Sequence, residues 1–209
     1  MFIDPTVPGS IKRTVFPAIV TPRPIGWIST LGPDGKANLA PFSFFNLASS
    51  TPPTVMFASN AAADRHEKDT ITNIRRSQEF VYNLVTVPLA EPMVKTSAPQ
   101  PYGEDEFELA GLEKAPCVKV QAPRVAASPV AFECVVYKLV DLMPERPGDT
   151  QSTIVIGRVV GVHVGDGLIL ENGRFDTAAV QPLARLGGMQ YGEIGRVFEI
   201  EQPFTKLGS

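Results

Sequence analysis

The sequence predicts a mainly β domain: a barrel of short antiparallel strands with helices inserted between them. Three observations carry that expectation. Residues 25–31, "IGWISTL", are followed by "GPDG" and then "KANLAPF", two apolar runs joined by a turn. The period changes to helical spacing over "KDTITNIRRSQ" and then returns to β. The second half holds two long β-rich runs, "PVAFECVVYKLVDLM" and "STIVIGRVVGVHV".

The elements follow in order. Pro33 suits the second position of a turn, and Gly35 supplies the positive φ that closes a four-residue hairpin loop. "TVMFAS" (54–59) forms a third strand after Pro52 and Pro53. Asp69 or Thr70 caps the helix that follows, with Ile71 and Ile74 on one face. "EFVYNLVT" (79–86) puts Phe80, Tyr82 and Leu84 on one side of a strand. "PLAEPMVKTSA" reads as a short helix with Leu89, Met93 and Val94 inward, despite Pro92. The acidic "YGEDEFELAGLEKA" reads as a surface loop or short helix. In the second half, Val130, Phe132, Cys134 and Val136 alternate with Ala131, Glu133, Val135 and Tyr137. Gly157 and Gly161 mark bends or bulges in the last long strand. Nothing in this order suggests a doubly wound parallel sheet.

Composition narrows the function. The 209 residues suit one domain, and 44% hydrophobic with 20% charged residues is ordinary for a globular core. The 20 Pro and 17 Gly are spread along the chain, as many short elements require. A net charge of -3 argues against nucleic acid as partner, because phosphate backbones call for a basic face. No apolar run approaches the roughly 18 residues that span a bilayer. "MFIDPTVPGSIK" lacks the pattern of a signal peptide, so the expectation is a cytoplasmic protein away from membranes. Cys117 and Cys134 read as core thiols, and His66 and His163 form no HExxH, so no metal site is expected. Neither G-x-G-x-x-G, nor a P-loop, nor G-x-S-x-G occurs.

What remains is a constellation: "RPIGWIST", "NLAPFSFFN", "FASN" and "RHEKDTITN". Ser29 and Thr30 put hydroxyls at one strand end. "PFSFFN" and the pair Ser59 and Asn60 add amide and hydroxyl groups nearby. Arg65 and Lys68 flank a helix start, whose unpaired N–H groups and partial positive charge seat a phosphate. Polar groups for a ring edge at one end and for a phosphate at the other describe a mononucleotide. Strand-end hydroxyls also serve as plain turn caps, and pattern alone does not name the ligand.

The run "TPRPIGWISTLGPDGKANLAPFSFFNLASSTPPTVMFASN", with "KDTITNI" and "EFVYNLV", resembles the flavin reductase-like, FMN-binding split-barrel family. That family includes flavoredoxins and reductase components of two-component monooxygenases. The match is densest from Pro17 to Thr86, with echoes in "IVIGRVVGVHV" and "RLGGMQY". The resemblance implies a six-stranded antiparallel Greek-key split barrel over residues 1–209. It also implies a homodimer with FMN at the interface and residues 175–209 as a C-terminal extension packing on the partner. Trp27, Ile28, Ser29 and Thr30, with Ser43, Phe44, Phe45 and Asn46, would line the ring and ribityl chain. Ser59, Arg65, Lys68, Asp69 and Thr70 would surround the phosphate. His163 falls at a family position near the open flavin face, and Tyr191 is placed to reach a partner's flavin; a satisfied strand histidine and a surface aromatic are the plainer alternatives. Trp27 equally suits core filling, and of Phe44 and Phe45 only one side chain can meet the ring.

NAD(P)H is the implied co-substrate, and a monooxygenase or other acceptor the implied electron partner. The "GDG" at 165–167 lacks the following His that some relatives tie to nicotinamide binding, which weakens that inference. No side chain need act as acid or base, since the flavin carries the redox chemistry; backbone N–H groups of 43–46 are candidates to stabilise its reduced form. A non-catalytic FMN-binding, storage or sensor protein is the alternative.

Overall fold

The computed structural model describes residues 1–61, 67–146 and 149–201. A short helix, α1 (Val15–Ile19), and a two-residue strand, β1 (Arg23–Pro24), precede the expected hairpin of β2 (Gly26–Leu31) and β3 (Ala37–Phe42). β4 (Phe45–Ser50) and β5 (Pro53–Asn60) form a second antiparallel pair, followed by α2 (Asp69–Ser77) and β6 (Glu79–Leu84). Then come α3 (Ala90–Lys95), α4 (Glu106–Ala110) and the small pair β7 (Lys114–Ala115) and β8 (Arg124–Val125). The long strands β9 (Val130–Leu142) and β10 (Ser152–Val164) precede α5 (Thr177–Val180), β11 (Ala184–Arg185) and β12 (Tyr191–Gly192).

The principal sheet is antiparallel in the order β3-β2-β6-β9-β10-β5-β4. It has seven strands where the resemblance implied six, because the chain breaks at Ser43 and Phe44 and sends β3 and β4 to opposite edges. β3 also lies against β5, so the sheet curls toward closure. Gly26 allows that curl: a Cβ there would run into the Phe45 ring across the interior. Gly157 does the same for Phe80, at one of two register shifts in β10; the other lies between Val159 and Gly161.

Two apolar clusters fix the hairpin. Inside the curl, Ile28, Phe45, Phe57, Phe80 and Tyr82 pack with Ile71 and Ile74 of α2. On the other face, Trp27 and Leu39 pack with Val85, Met93 and Phe107, holding α3 and α4 against the strands. Neighbours Trp27 and Ile28 point opposite ways, and both are fully buried. Each such side chain contributes about 1.5–3 kcal/mol by leaving water.

Local expectations need three corrections. The N-cap of α2 is Lys68, with no side-chain cap, and Asp69 and Thr70 are its first helical residues. Val94 is exposed, since α3 turns only Met93 fully inward. The acidic segment is no plain surface piece: Glu106 and Phe107 of α4 are buried. Among the described residues, no helix is long and apolar enough to cross a membrane.

Candidate functional site

β3 is an edge strand, and its outer half faces the start of α2 across a cleft. Asn38, Ala40 and Pro41 of β3 line one wall; Lys68, Asp69 and Thr70 line another. The segment Thr96–Gln100 after α3, together with Glu106 of α4, closes the third side. The cavity measures about 570 Å³, within the usual size of small-molecule sites. A second cleft of about 200 Å³ adjoins it, sharing Pro41 and Ser97 and adding Ser43, Arg185 and Tyr191. A third, of about 310 Å³, shares Ser43 and runs past Phe44, Phe45 and Asn46 to Arg23 and Met56. The three openings follow one path around the chain at Pro41–Ser43.

Buried hydrogen bonds hold the walls in register. Asn38 Nδ2 donates to Thr30 Oγ1 (3.3 Å) and to Thr70 Oγ1 (3.0 Å), tying the hairpin to the first turn of α2. Asn73 Nδ2 donates to the same Thr30 oxygen at 3.1 Å. Trp27 Nε1 donates to Thr96 Oγ1 at 2.9 Å, anchoring the third wall. Ser29 Oγ donates to the Pro123 carbonyl at 2.5 Å and accepts from Asn83. All four side chains of Trp27 to Thr30 are therefore buried behind the cleft rather than lining it. They were expected to line the ring and ribityl region; their side chains are enclosed between the two apolar clusters and brace the wall from behind.

The other expected residues divide. Lys68, Asp69 and Thr70 line the large cleft, with the Lys68 ammonium 5.5 Å from the centre of the Phe42 ring. Ser43 sits where the second and third clefts meet. Phe45 turns inward and stacks on Tyr82 with centroids 4.5 Å apart, while Phe44 is exposed beneath the Arg23 guanidinium. Asn46 is exposed, its side chain accepting from the Leu47 amide. Ser59 is buried away from the large cleft, and Arg65 lies outside the described residues. Tyr191 lines the second cleft with the Arg185 guanidinium 4.4 Å over its ring. His163 lies outside all of these clefts and hydrogen-bonds Glu133.

Sequence reading missed Asn38, the Thr96–Gln100 wall, Arg185 and Glu106. Asn38 lay inside the quoted "NLAPFSFFN", and its adjacency to Thr70 is a tertiary fact. Glu106 Oε2 accepts from the Leu39 amide at 2.9 Å, deep in the wall. Its carboxyl is pushed up to about 7: burial is the chief cause, the like charges of Asp69 and Asp105 add to it, and the Leu39 amide opposes both.

A sequence profile described as "Flavin reductase like domain" matches residues 20–179, spanning the hairpin, both walls of the cleft and the long strands. The chain belongs to the flavin reductase-like family. An uncharacterised protein of Aquifex aeolicus is 37% identical over 173 residues, covering 83% of this chain and 85% of the relative. Among solved structures, nitrilotriacetate monooxygenase component B from Bacillus cereus superposes with a TM-score of 0.88 at 28% identity, covering 96% and 98% of the two chains. The 2-nitrobenzoate 2-nitroreductase of Pseudomonas fluorescens gives 0.84 at 29%, covering 100% and 99%. Family membership supports a flavin cofactor, and the cleft suits one. A helix start carrying Lys68 offers cationic and N–H partners to a phosphate, and the Ala40–Pro41 edge offers a flat, largely apolar surface for a ring.

Proposed function

We propose that this protein is a flavin-dependent oxidoreductase that binds FMN without a covalent link and uses NAD(P)H as reductant. The observation that carries the reading is the cleft walled by β3 and the start of α2, locked by the Thr30–Asn38–Thr70 bonds. Lys68 and the first amides of α2 hold the phosphate end, and the chain at Pro41–Ser43 lies along the ring. When bound, the flavin would supply the redox chemistry between the nicotinamide and a partner protein or free flavin. The protein positions it and limits water, and the backbone amides of 43–46 offer donors to the charge that reduction develops.

The likeness to a monooxygenase component supports an electron-delivery role. A homodimer belongs to this reading, with FMN near the subunit boundary. Residues Ile194, Val197, Phe198 and Ile200, all exposed in the single chain, form the apolar stretch that packs on the partner. The preceding part of the extension packs on its own chain: the Leu183 amide donates to the Val85 carbonyl at 2.9 Å, and β11 pairs with β1. Location in the cytoplasm also belongs to the proposal.

Purified protein is expected to carry or take up FMN with a flavin spectrum, and excess NADH or NADPH bleaches that spectrum anaerobically. A protein that binds FMN but is bleached by neither nicotinamide is a storage or sensor protein. One that takes up no flavin overturns the proposal altogether.

A further inference from the structure

Three side chains from three separate segments meet outside the linings of the clefts. Cys117, between β7 and β8, Glu133 on β9 and His163 on β10 each present a ligand atom, and these atoms lie within 4.8 Å of one another. The sheet register explains the meeting. Glu133 pairs with Gly161 and His163 with Ala131, so His163 stands diagonally from Glu133 across the ladder. Gly161 leaves the space: a Cβ there would press on the Glu133 carboxyl at 3.2 Å.

The carboxylate is firmly held. Glu133 Oε1 accepts from the Val118 amide at 2.9 Å, Oε2 accepts from Lys119 and from Val120 at 3.1 Å, and the His163 ring nitrogen lies 2.6 Å from Oε1. Burial pushes this carboxyl up, but the amides of Val118 and Lys119, with His163 and Val120, together hold it below the ordinary range. A buried anion thus sits between a thiol and an imidazole. The side chain of Glu133 is only 1% exposed and that of His163 26%, so the group is closed behind and open in front.

We propose that Cys117, Glu133 and His163 form a binding site for a divalent metal ion of the zinc class, with a fourth position open to solvent. Thiolate, imidazole and carboxylate are the three ligand types that zinc accepts, and bonds of about 2.0–2.3 Å set its ligand atoms roughly 3–4 Å apart. Atoms already within 4.8 Å of one another reach that spacing with shifts of about 1 Å. Binding forms bonds to Cys117 Sγ, His163 Nε2 and Glu133 Oε1. It releases the thiol proton to solvent, while the ring proton of a neutral His163 moves to Nδ1. Burial and the Glu133 charge push the Cys117 thiol up to about 11, and a bound dication offsets both causes. Sequence reading expected no metal site because each ligand lies alone in its own segment.

Cobalt(II) is the probe, added to untagged protein with its flavin content unchanged and read as a difference spectrum. One equivalent per chain is expected, with a near-ultraviolet thiolate-to-cobalt charge-transfer band. The chain has only two cysteines, and Cys134 is fully buried with its thiol directed at the Phe132 carbonyl, so the band reports Cys117. Cys117→Ser abolishes the band, and His163→Gln weakens zinc(II) binding in calorimetry by more than the roughly 10- to 100-fold typical of an outer-shell partner. Wild-type protein that shows no thiolate band, or a band that survives Cys117→Ser, overturns the proposal. If Cys117→Ser does not fold, the wild-type spectrum and His163→Gln decide.

Discussion

Lys68 lines the cleft at the start of α2 and is the cation expected to meet the phosphate. Charge-assisted hydrogen bonds contribute about 1.5–3 kcal/mol, so Lys68→Ala weakens FMN binding roughly 10- to 100-fold. Riboflavin lacks the phosphate and its affinity changes little; fluorescence-quenching titrations with both ligands read the difference, and equal losses refute this phosphate seat. Glu106 carries a pH signature of its own. Its carboxyl rises from 4.5 to about 7 on folding, chiefly through burial. Across that window the folded chain keeps a proton that the unfolded chain releases. The stability Glu106 contributes is therefore complete below pH 4.5 and is lost as pH climbs through about 7. Denaturant titrations at several pH values should show a decline of at most about 1.4 kcal/mol per pH unit from this group, flattened in Glu106→Gln. Such residues were only partly legible. Lys68 stood out because a basic residue before a helical period is a local signal. Glu106 was hidden in an acidic run, where composition says surface and only the fold reveals burial.

At the scale of elements, the hairpin and the second-half strands were readable because their signals are local. Gly35 adopts φ of 79°, as the turn requires, and the two bulges fall at Gly157 and Gly161. The burial of all four side chains from Trp27 to Thr30 was not legible, because period-2 alternation tells which residues share a face, not what covers that face. Here both faces are covered. The bond from Asn38 to Thr70 joins two elements 32 residues apart, a distance no periodicity spans. Asn38→Ala removes the donor to both threonines; Thr30 keeps its bond from Asn73, while the buried Thr70 hydroxyl loses its tie to the hairpin, at a cost of about 1–3 kcal/mol. Thermal denaturation should show the loss, and FMN affinity should fall with it because the two walls are no longer joined. Gly157→Ala tests the curl of the sheet instead. Its methyl meets the Phe80 ring, and overpacking of this kind costs about 1–3 kcal/mol. A melting temperature lower by roughly 2–12 °C is the expected result for a chain of this size.

Across the whole molecule, the family's curled antiparallel sheet brings an edge strand and a helix start together, and the openings continue along Pro41–Ser43 toward Arg185 and Tyr191. The C-terminal segment thereby becomes part of the site's surroundings: Tyr191 stacks under Arg185 on β11 and β12, which pair with β1 beside the hairpin. Light scattering is expected to report twice the chain mass, and truncation after Gly192 to shift it toward the monomer while β11 and β12 remain. On the proposed reading phosphate, ring and partner meet at one groove, whose walls at Asn38 and Thr70 are 32 residues apart in the chain and joined by a hydrogen bond. The most direct test of that arrangement is a crystal structure of the protein grown with FMN. The account predicts the phosphate at the first turn of α2 within hydrogen-bonding reach of Lys68, and the ring lying along Pro41–Ser43. A phosphate bound elsewhere, or a ring seated away from β3, contradicts it.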